Sequence, residues 1–273
     1  MDLIKIKIMS IRELFWFIDL IFYLKKKQII PWDINTHKLE IELTTRCSLA
    51  CFNCDRSIRQ APSNEYISIK QITKLIDESI RLNWKWKHIT ILGGEPTLHP
   101  YFFEIIDIIK RYKDFNPHSK IILSTNGYGK KVNNVLSNIP DWIIVRNSRK
   151  ISNSNKFNSY NIAPIDLSNL KNKGLFTGCW IMDICGLGFT RYGFYPCGPG
   201  ASIDRVFGFD IGIKKLSSIE EYKLRKQLII LCRYCGHFKE NFGKELISEE
   251  KMSNNWRNAY TKYKIEKPRL RLY

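Results

Sequence analysis

Hydrophobic and polar positions along this chain change period in a way that lays out its elements. From Ile11 to Leu24 (IRELFWFIDLIFYL) apolar residues dominate at helical spacing, and Lys25, Lys26 and Lys27 follow. Pro31-Trp32-Asp33 breaks that period, and Leu39 to Leu43 (LEIEL) then alternates as a half-buried strand does. Helical spacing returns from Ser68 to Leu82, with Ser68 placed to cap it, and His88 to Leu92 (HITIL) is a second strand. Pro100 to Tyr112 reads as helix, Lys120 to Ser124 as strand, Lys130 to Ser137 as helix and Trp142 to Val145 as strand. This β-α alternation implies an α/β fold with a parallel sheet, doubly wound or bent into an open barrel, whose functional groups gather where strands end.

The pattern loses its regularity further on. Arg149 to Ser159 is a polar stretch expected to form a loop or irregular crossover. After Gly174 cysteines, glycines and aromatics dominate with few helical signals, so a small second module is expected there. The chain divides accordingly into an N-terminal amphipathic helix and linker (1–35), an α/β region (36–173), the second module (174–248) and a charged, aromatic C-terminal tail (249–273) whose role the sequence leaves open. No internal repeat is visible.

With 273 residues, 44% of them hydrophobic, the chain can bury a core and is not a disordered segment. Its 44 basic and 26 acidic residues give +18, which favours anionic partners such as nucleotides, phosphorylated sugars, nucleic acid or an acidic membrane surface. A composition rich in Ile, Lys and Asn accounts for the same charge by scattering lysines over a solvated surface. The stretch from Ile11 to Leu24 is too short and too charged to span a bilayer. Its aromatic face beside three lysines is compatible with peripheral membrane contact, and equally with a helix covering an edge of the α/β region. Asp2, Arg12, Glu13 and Asp19 interrupt any apolar run that could act as a signal peptide, so a cytoplasmic, reducing setting is expected. Closely spaced cysteines in that setting serve as metal or redox ligands more often than as cystines.

Eight cysteines fall into two groups. Cys47, Cys51 and Cys54 share one tight loop just after the first strand, a spacing that suits three corners of an iron-sulfur cube and leaves one iron open. A structural zinc site normally wants four closed ligands, and no fourth lies close in sequence. This triplet resembles the Cys-x₃-Cys-x₂-Cys signature of the radical S-adenosylmethionine (SAM) superfamily. Gly93-Gly94-Glu95-Pro96 after the second strand is similar to that family's GGE motif, and Ser124-Thr125-Asn126-Gly127 follows the third strand, where the family places ribose contacts. The resemblance implies a partial, open parallel β/α barrel and a [4Fe-4S] cluster on Cys47, Cys51 and Cys54. It further implies that SAM chelates the open iron and contacts Gly93, Gly94, Glu95, Ser124 and Asn126. Reduction of that cluster cleaves SAM to a 5′-deoxyadenosyl radical, the cofactors supplying the chemistry and the protein its geometry and shielding. One departure concerns the adenine contact: the family has an aromatic residue just before the third cysteine, whereas Asn53 stands here with Phe52 one step earlier.

The remaining cysteines are Cys179, Cys185, Cys197, Cys232 and Cys235, one more than a four-thiolate cluster needs. Their layout around Gly193 resembles the twitch module of the SPASM/twitch subgroup, which implies an auxiliary [4Fe-4S] cluster on Cys179, Cys197, Cys232 and Cys235. Cys179 precedes Gly193 by fourteen positions and Cys185 by eight, so Cys185 is left out as a small buried residue or a substitute ligand. The Cys232-x-x-Cys235 pair taken alone is equally compatible with zinc.

In size and cysteine layout the chain resembles short twitch enzymes of the 2-deoxy-scyllo-inosamine dehydrogenase kind. That resemblance implies hydrogen abstraction from a small, sugar-like or anionic substrate. An alcohol would be oxidised to a ketone with the auxiliary cluster as electron acceptor, and a flavodoxin or ferredoxin would be the donor. Arg146 and Arg149 are candidates for SAM or an anionic group and Lys150 or Asp183 for a base, although surface roles fit each; Tyr192 and Tyr195 read as structural. Peptide maturation is the alternative enzymatic reading, for which the segment before Leu39 is short. A basic iron-sulfur nucleic-acid-binding protein without turnover is the alternative from another class, and the GGE and STNG matches argue against it.

Overall fold

The computed structural model describes residues 11–26, 31–153, 157, 160–168, 178–238 and 251–273. The expected boundary near Gly174 and the one at 248/249 lie outside the described residues. The elements, in chain order, are α1 (Ile11–Lys26), β1 (Lys38–Glu42), α2 (Ile69–Arg81), β2 (His88–Leu92), α3 (Phe102–Phe115), β3 (Lys120–Thr125), α4 (Lys130–Leu136), β4 (Ile143–Asn147), α5 (Trp180–Ile184), β5 (Leu187–Thr190), β6 (Gly193–Tyr195), α6 (Gly198–Phe207), α7 (Glu221–Leu231) and α8 (Asn254–Ile265).

Period sets the first half of this order. Leu39 and Ile41 of β1, Ile89 and Ile91 of β2, and Ile121 and Leu123 of β3 are fully buried, and they pack with Ile72, Leu75 and Ile76 of α2 and Ile105, Ile106 and Ile109 of α3. Ser68 caps α2 as its spacing suggests: its Oγ accepts from Gln71 N while Gln71 Oε1 accepts from Ser68 N, satisfying two helix-end donors reciprocally. Strands β1 to β4 pair in parallel with β1 registered on β2 (Glu40 opposite Thr90), so their C-terminal ends share one edge.

The second half contains more helix than its sequence signals. Strands β5 and β6 extend the same sheet, in the order β4-β3-β2-β1-β5-β6, with β5 parallel to β1 and β6 antiparallel to β5. The sheet is therefore open, parallel in five strands and antiparallel at one edge. Gly193 makes the β5–β6 turn at φ +113°, where a Cβ would overlap the Ile213 carbonyl. Helix α6 was hidden from a sequence reading by Gly198-Pro199-Gly200, yet proline is well accommodated in a first turn and Gly208 closes the helix in the left-handed conformation. Tyr195 is fully buried and donates to Asp204 at 2.6 Å, and Tyr192 donates to Glu65, so both tyrosines serve the packing.

Residues 254–265 form a helix whose Trp256, Tyr260 and Tyr263 are buried in a second cluster with Tyr160, Tyr195, Ile203 and Val206. The terminal Tyr273 sets its ring edge-on to Phe189 and Phe194 and donates to Glu78. Helix α1 meets the body through Phe22, edge-on to Trp32, and through the Lys25–Asp33 pair, while Phe15, Trp16 and Ile18 are exposed. No helix among the described residues is long and apolar enough to cross a membrane.

Arg205 of α6 ties the halves together. It is 2% exposed and donates to the carbonyls of Arg56 (2.9 Å) and Ala61 (3.0 Å) in the β1–α2 loop and to Tyr263 Oη of α8 (2.8 Å). Replacing it with Met orphans buried acceptors at about 1–3 kcal/mol each. Arg205→Met is expected to lose about 3 kcal/mol or more in anaerobic denaturant unfolding, whereas Arg257→Met, on an exposed face of α8, changes stability by less than about 0.5 kcal/mol.

Candidate active site

At the C-terminal edge of the sheet the loops after β1, β2, β3 and β4 converge on one cavity. Its lining includes Cys47, Cys51 and Cys54 from the first loop, Gly93 and Gly94 from the second, Ser124 at the end of β3 with Asn126 just past it, and Arg146 at the end of β4 with Lys150 beyond it. The topology that aligns the strand ends thus brings the separated motifs together.

The β1–α2 loop is pinched at its base, where Ile67 N donates to Leu43 O, Thr45 N to Glu65 O and Thr45 Oγ1 to Ser63 O. The β2 loop seats directly on it: Gly94 N donates to Thr44 O and Glu95 N to Arg46 O, both at 2.8 Å. A Cβ on Gly94 would overlap the Arg46 carbonyl and crowd the Cys47 Cβ at 3.0 Å, so glycine lets this loop press against the chain that carries the first cysteine.

Glu95 is fully buried, and of the three GGE residues Gly93 and Gly94 line the cavity. Its carboxylate accepts from Thr97 Oγ1 (2.8 Å), Thr125 Oγ1 (2.9 Å) and Asn126 N (2.8 Å), fastening the β2 loop to the β3 loop. Asn126 is thereby fixed with its side-chain amide toward Ser48 Oγ (3.1 Å) and Cys47 Sγ (3.6 Å). Thr125 and Ser48 lie within the STNG and cysteine motifs, yet the sequence did not single them out, because their role is to hold other groups.

Further donors face the sulfurs: Leu49 N stands 3.4 Å from Cys47 Sγ and Lys150 Nζ 3.8 Å from Cys51 Sγ. Burial pushes the Cys54 thiol up to about 12, reinforced by Asp55, and raises Cys47 as well. Three soft donors in one loop, surrounded by N–H groups that favour charge on sulfur, fit an iron-sulfur cluster. Asn53, the departure before the third cysteine, is 1% exposed with φ +50°, a conformation asparagine tolerates better than a bulky residue. Phe52 lies under the Arg59 guanidinium at 4.2 Å. Arg149 is exposed with φ +45°, and Asp183 on α5 is absent from the cavity lining.

A second, smaller cavity is lined by Cys179, Cys197, Cys232 and Cys235 together with Gly178, Met182, Gly200, Ile203, Leu228 and Leu231. Burial pushes Cys179 up to about 11 and Cys197 to about 12, and Cys179 raises Cys197 further. Cys232 and Cys235 stand well above the ordinary thiol range, first through burial and then through Cys179 and Cys197. The four thiols therefore feel one another. Cys185 is not in that lining, and its thiol is raised by burial and by the Glu40 carboxylate. A Cβ on Gly200 would sit 3.3 Å from Cys197 Sγ and 3.0 Å from Leu231, so glycine there keeps the cradle open. Four soft thiolate donors in an apolar chamber suit an iron-sulfur cluster.

Residues 41–143 match the radical SAM superfamily, over the loops that carry the triplet, the GGE sequence and Asn126. Over that stretch, which runs from β1 to the start of β4, the chain is similar to the radical SAM superfamily. It is 36% identical over 86 residues to the mycofactocin maturase MftC of Mycobacterium tuberculosis, covering 32% of this chain and 20% of that one. To the probable GTP 3′,8-cyclase of Methanocaldococcus jannaschii it is 36% identical over 91 residues, 33% of this chain and 28% of the relative. The chain thus spans between a fifth and about a quarter of the length of these curated relatives. Among solved structures it is similar to BtrN in complex with AdoMet and 2-DOIA, with TM-score 0.46 and 15% identity over 81% of this chain and 98% of that one. It is also similar to Streptococcus suis SuiB bound to S-adenosylmethionine, with TM-score 0.30 and 18% identity over 53% of this chain and 30% of the other.

The contact between the two glycine-bearing loops is open to a direct check. Gly94→Ala must displace the Arg46 carbonyl and is expected to cost about 1–3 kcal/mol, an overpacking penalty, read as a lower unfolding midpoint. An unchanged midpoint would contradict the close seating of the β2 loop on the cysteine loop.

Proposed function

We propose that this chain is a two-cluster radical SAM oxidoreductase acting on a small, anionic or sugar-like molecule. The observation that carries the reading is the presence of two cysteine-lined cavities of different character. One mixes charged and amide side chains with apolar ones and holds three cysteines among loops able to bind a ligand; the other is apolar around its four cysteines. Three cysteines leave one iron for SAM, with Gly93, Gly94, Ser124 and Asn126 around it and Glu95 holding Asn126 in place. Four cysteines close the second set, Cys179, Cys197, Cys232 and Cys235, as the twitch-like layout suggests. When bound, the clusters and SAM supply a 5′-deoxyadenosyl radical and an electron acceptor, the two functions that oxidation of an alcohol to a ketone requires.

The twitch-like spacing of Cys179, Cys197, Cys232 and Cys235, which share one cavity, supports a cube over zinc. Arg146 and Lys150 on the first cavity's lining support an anionic substrate group, and a flavodoxin or ferredoxin is the proposed reductant. Maturase and cyclase relatives each match over about a third of this chain, and because their names differ in substrate those matches leave the substrate open.

Anaerobically reconstituted protein is expected to bind about eight iron atoms, two cubes of four. Cys185→Ala should keep about eight and Cys179→Ala about four. Saturation of the wild type at half that content, with zinc on the C-terminal cysteines, would reject the second cluster, and the reverse pattern in the two variants would reassign its ligand. Replacing Cys232 and Cys235 together is expected to leave slow, uncoupled SAM cleavage while substrate oxidation is lost.

A further inference from the structure

Arg56 follows Cys54 by two residues in the β1–α2 loop, where an arginine would ordinarily reach solvent; it is 8% exposed instead. Its Nη2 donates to Glu40 Oε2 of β1 at 2.8 Å, and Asp55 Oδ1 stands 3.7 Å from its Nε. One side of this pair belongs to the first cavity, since Arg56 is part of the lining that Cys47, Cys51 and Cys54 share. The other side abuts Gly198, the residue after Cys197: a Cβ there would overlap both the Arg56 guanidinium and the Glu40 carboxylate. The pair therefore stands in the partition between the two cysteine sets.

Stability does not account for such a pair. Desolvating two charges costs several kcal/mol each, and a well-packed apolar pair in the same space would serve the fold as well or better. Position does account for it, because an iron-sulfur cluster's reduction potential responds to nearby charge and hydrogen bonding. We propose that Arg56 and Glu40 are positioning residues that set the potentials of both clusters from the wall between them, so that loss of either charge shifts both. This rests on the two-cluster reading above. Arg56 favours the reduced, more negative cluster and Glu40 opposes it, and together they hold the two potentials in balance.

The test measures the midpoint potentials of both clusters in reconstituted full-length protein by EPR at poised potentials, alongside iron content. Glu40→Gln keeps side-chain size and leaves Arg56 unbalanced, so both potentials should become more positive. Arg56→Met leaves Glu40 unbalanced, so both should become more negative, and Arg56→Lys should return them toward wild type. If Arg56→Met fails to fold, the Glu40→Gln shift and the Arg56→Lys values decide the matter. Wild-type protein with about four irons overturns the two-cluster reading and this proposal with it. About eight irons with potentials that do not move under Glu40→Gln, that move the same way in Glu40→Gln and Arg56→Met, or that shift at one cluster alone, overturn this proposal and leave the two-cluster reading standing.

Discussion

The β1–α2 loop leaves the sheet at Leu43 and returns at Ile67, and between those points its buried carbonyls cannot all be met by a regular ladder. Arg205 meets those of Arg56 and Ala61 from a helix that starts at Cys197, while its partner Tyr263 comes from the C-terminal helix. One guanidinium thus fixes the chain just past Cys54 relative to the chain just past Cys197. The placement of the two cysteine sets depends on that joint, because each set sits at one end of an element that Arg205 holds.

Around the joint the chain builds two chambers with different physics. The first is walled by loop backbone and by N–H donors aimed at sulfur, an environment suited to a charged, ligand-accepting centre. The second is walled by Leu, Ile and Met, an environment that keeps ligands and water out. Glu95 does for the first chamber what Arg205 does for the joint. Buried behind the glycines, it converts two strand-end loops into one rigid floor and sets the orientation of Asn126. A buried carboxylate with its hydrogen bonds made is a scaffold, and the contact surface passes to the glycines in front of it.

Much of this was legible in the sequence because period and spacing are local. Strands β1 to β4 and the Ser68 cap followed from alternation and from one capping residue, and the Cys47–Cys54 triplet from spacing alone. What stayed hidden was held by partners distant in sequence. Arg56, Arg205 and Glu40 are ordinary charged residues until the fold buries them against groups far along the chain, such as Gly198, which lies 142 positions beyond Arg56. Helix α6 was masked by the Gly-Pro-Gly run at its start, and α8 by a charged composition whose Trp256, Tyr260 and Tyr263 acquire meaning only against Tyr160 and Val206. The partners of Glu95 were hidden likewise, since a tripeptide motif carries no information on Thr125 and Asn126 further along the chain.

The central claim is that Cys47, Cys51 and Cys54 hold the iron at which SAM is cleaved, and a single comparison tests it most directly. Anaerobic protein given SAM and dithionite should release methionine and 5′-deoxyadenosine. The variant with all three cysteines changed to alanine should release neither, even where its fold and its remaining cysteines are intact. Formation of 5′-deoxyadenosine by that variant at the wild-type rate would contradict the account.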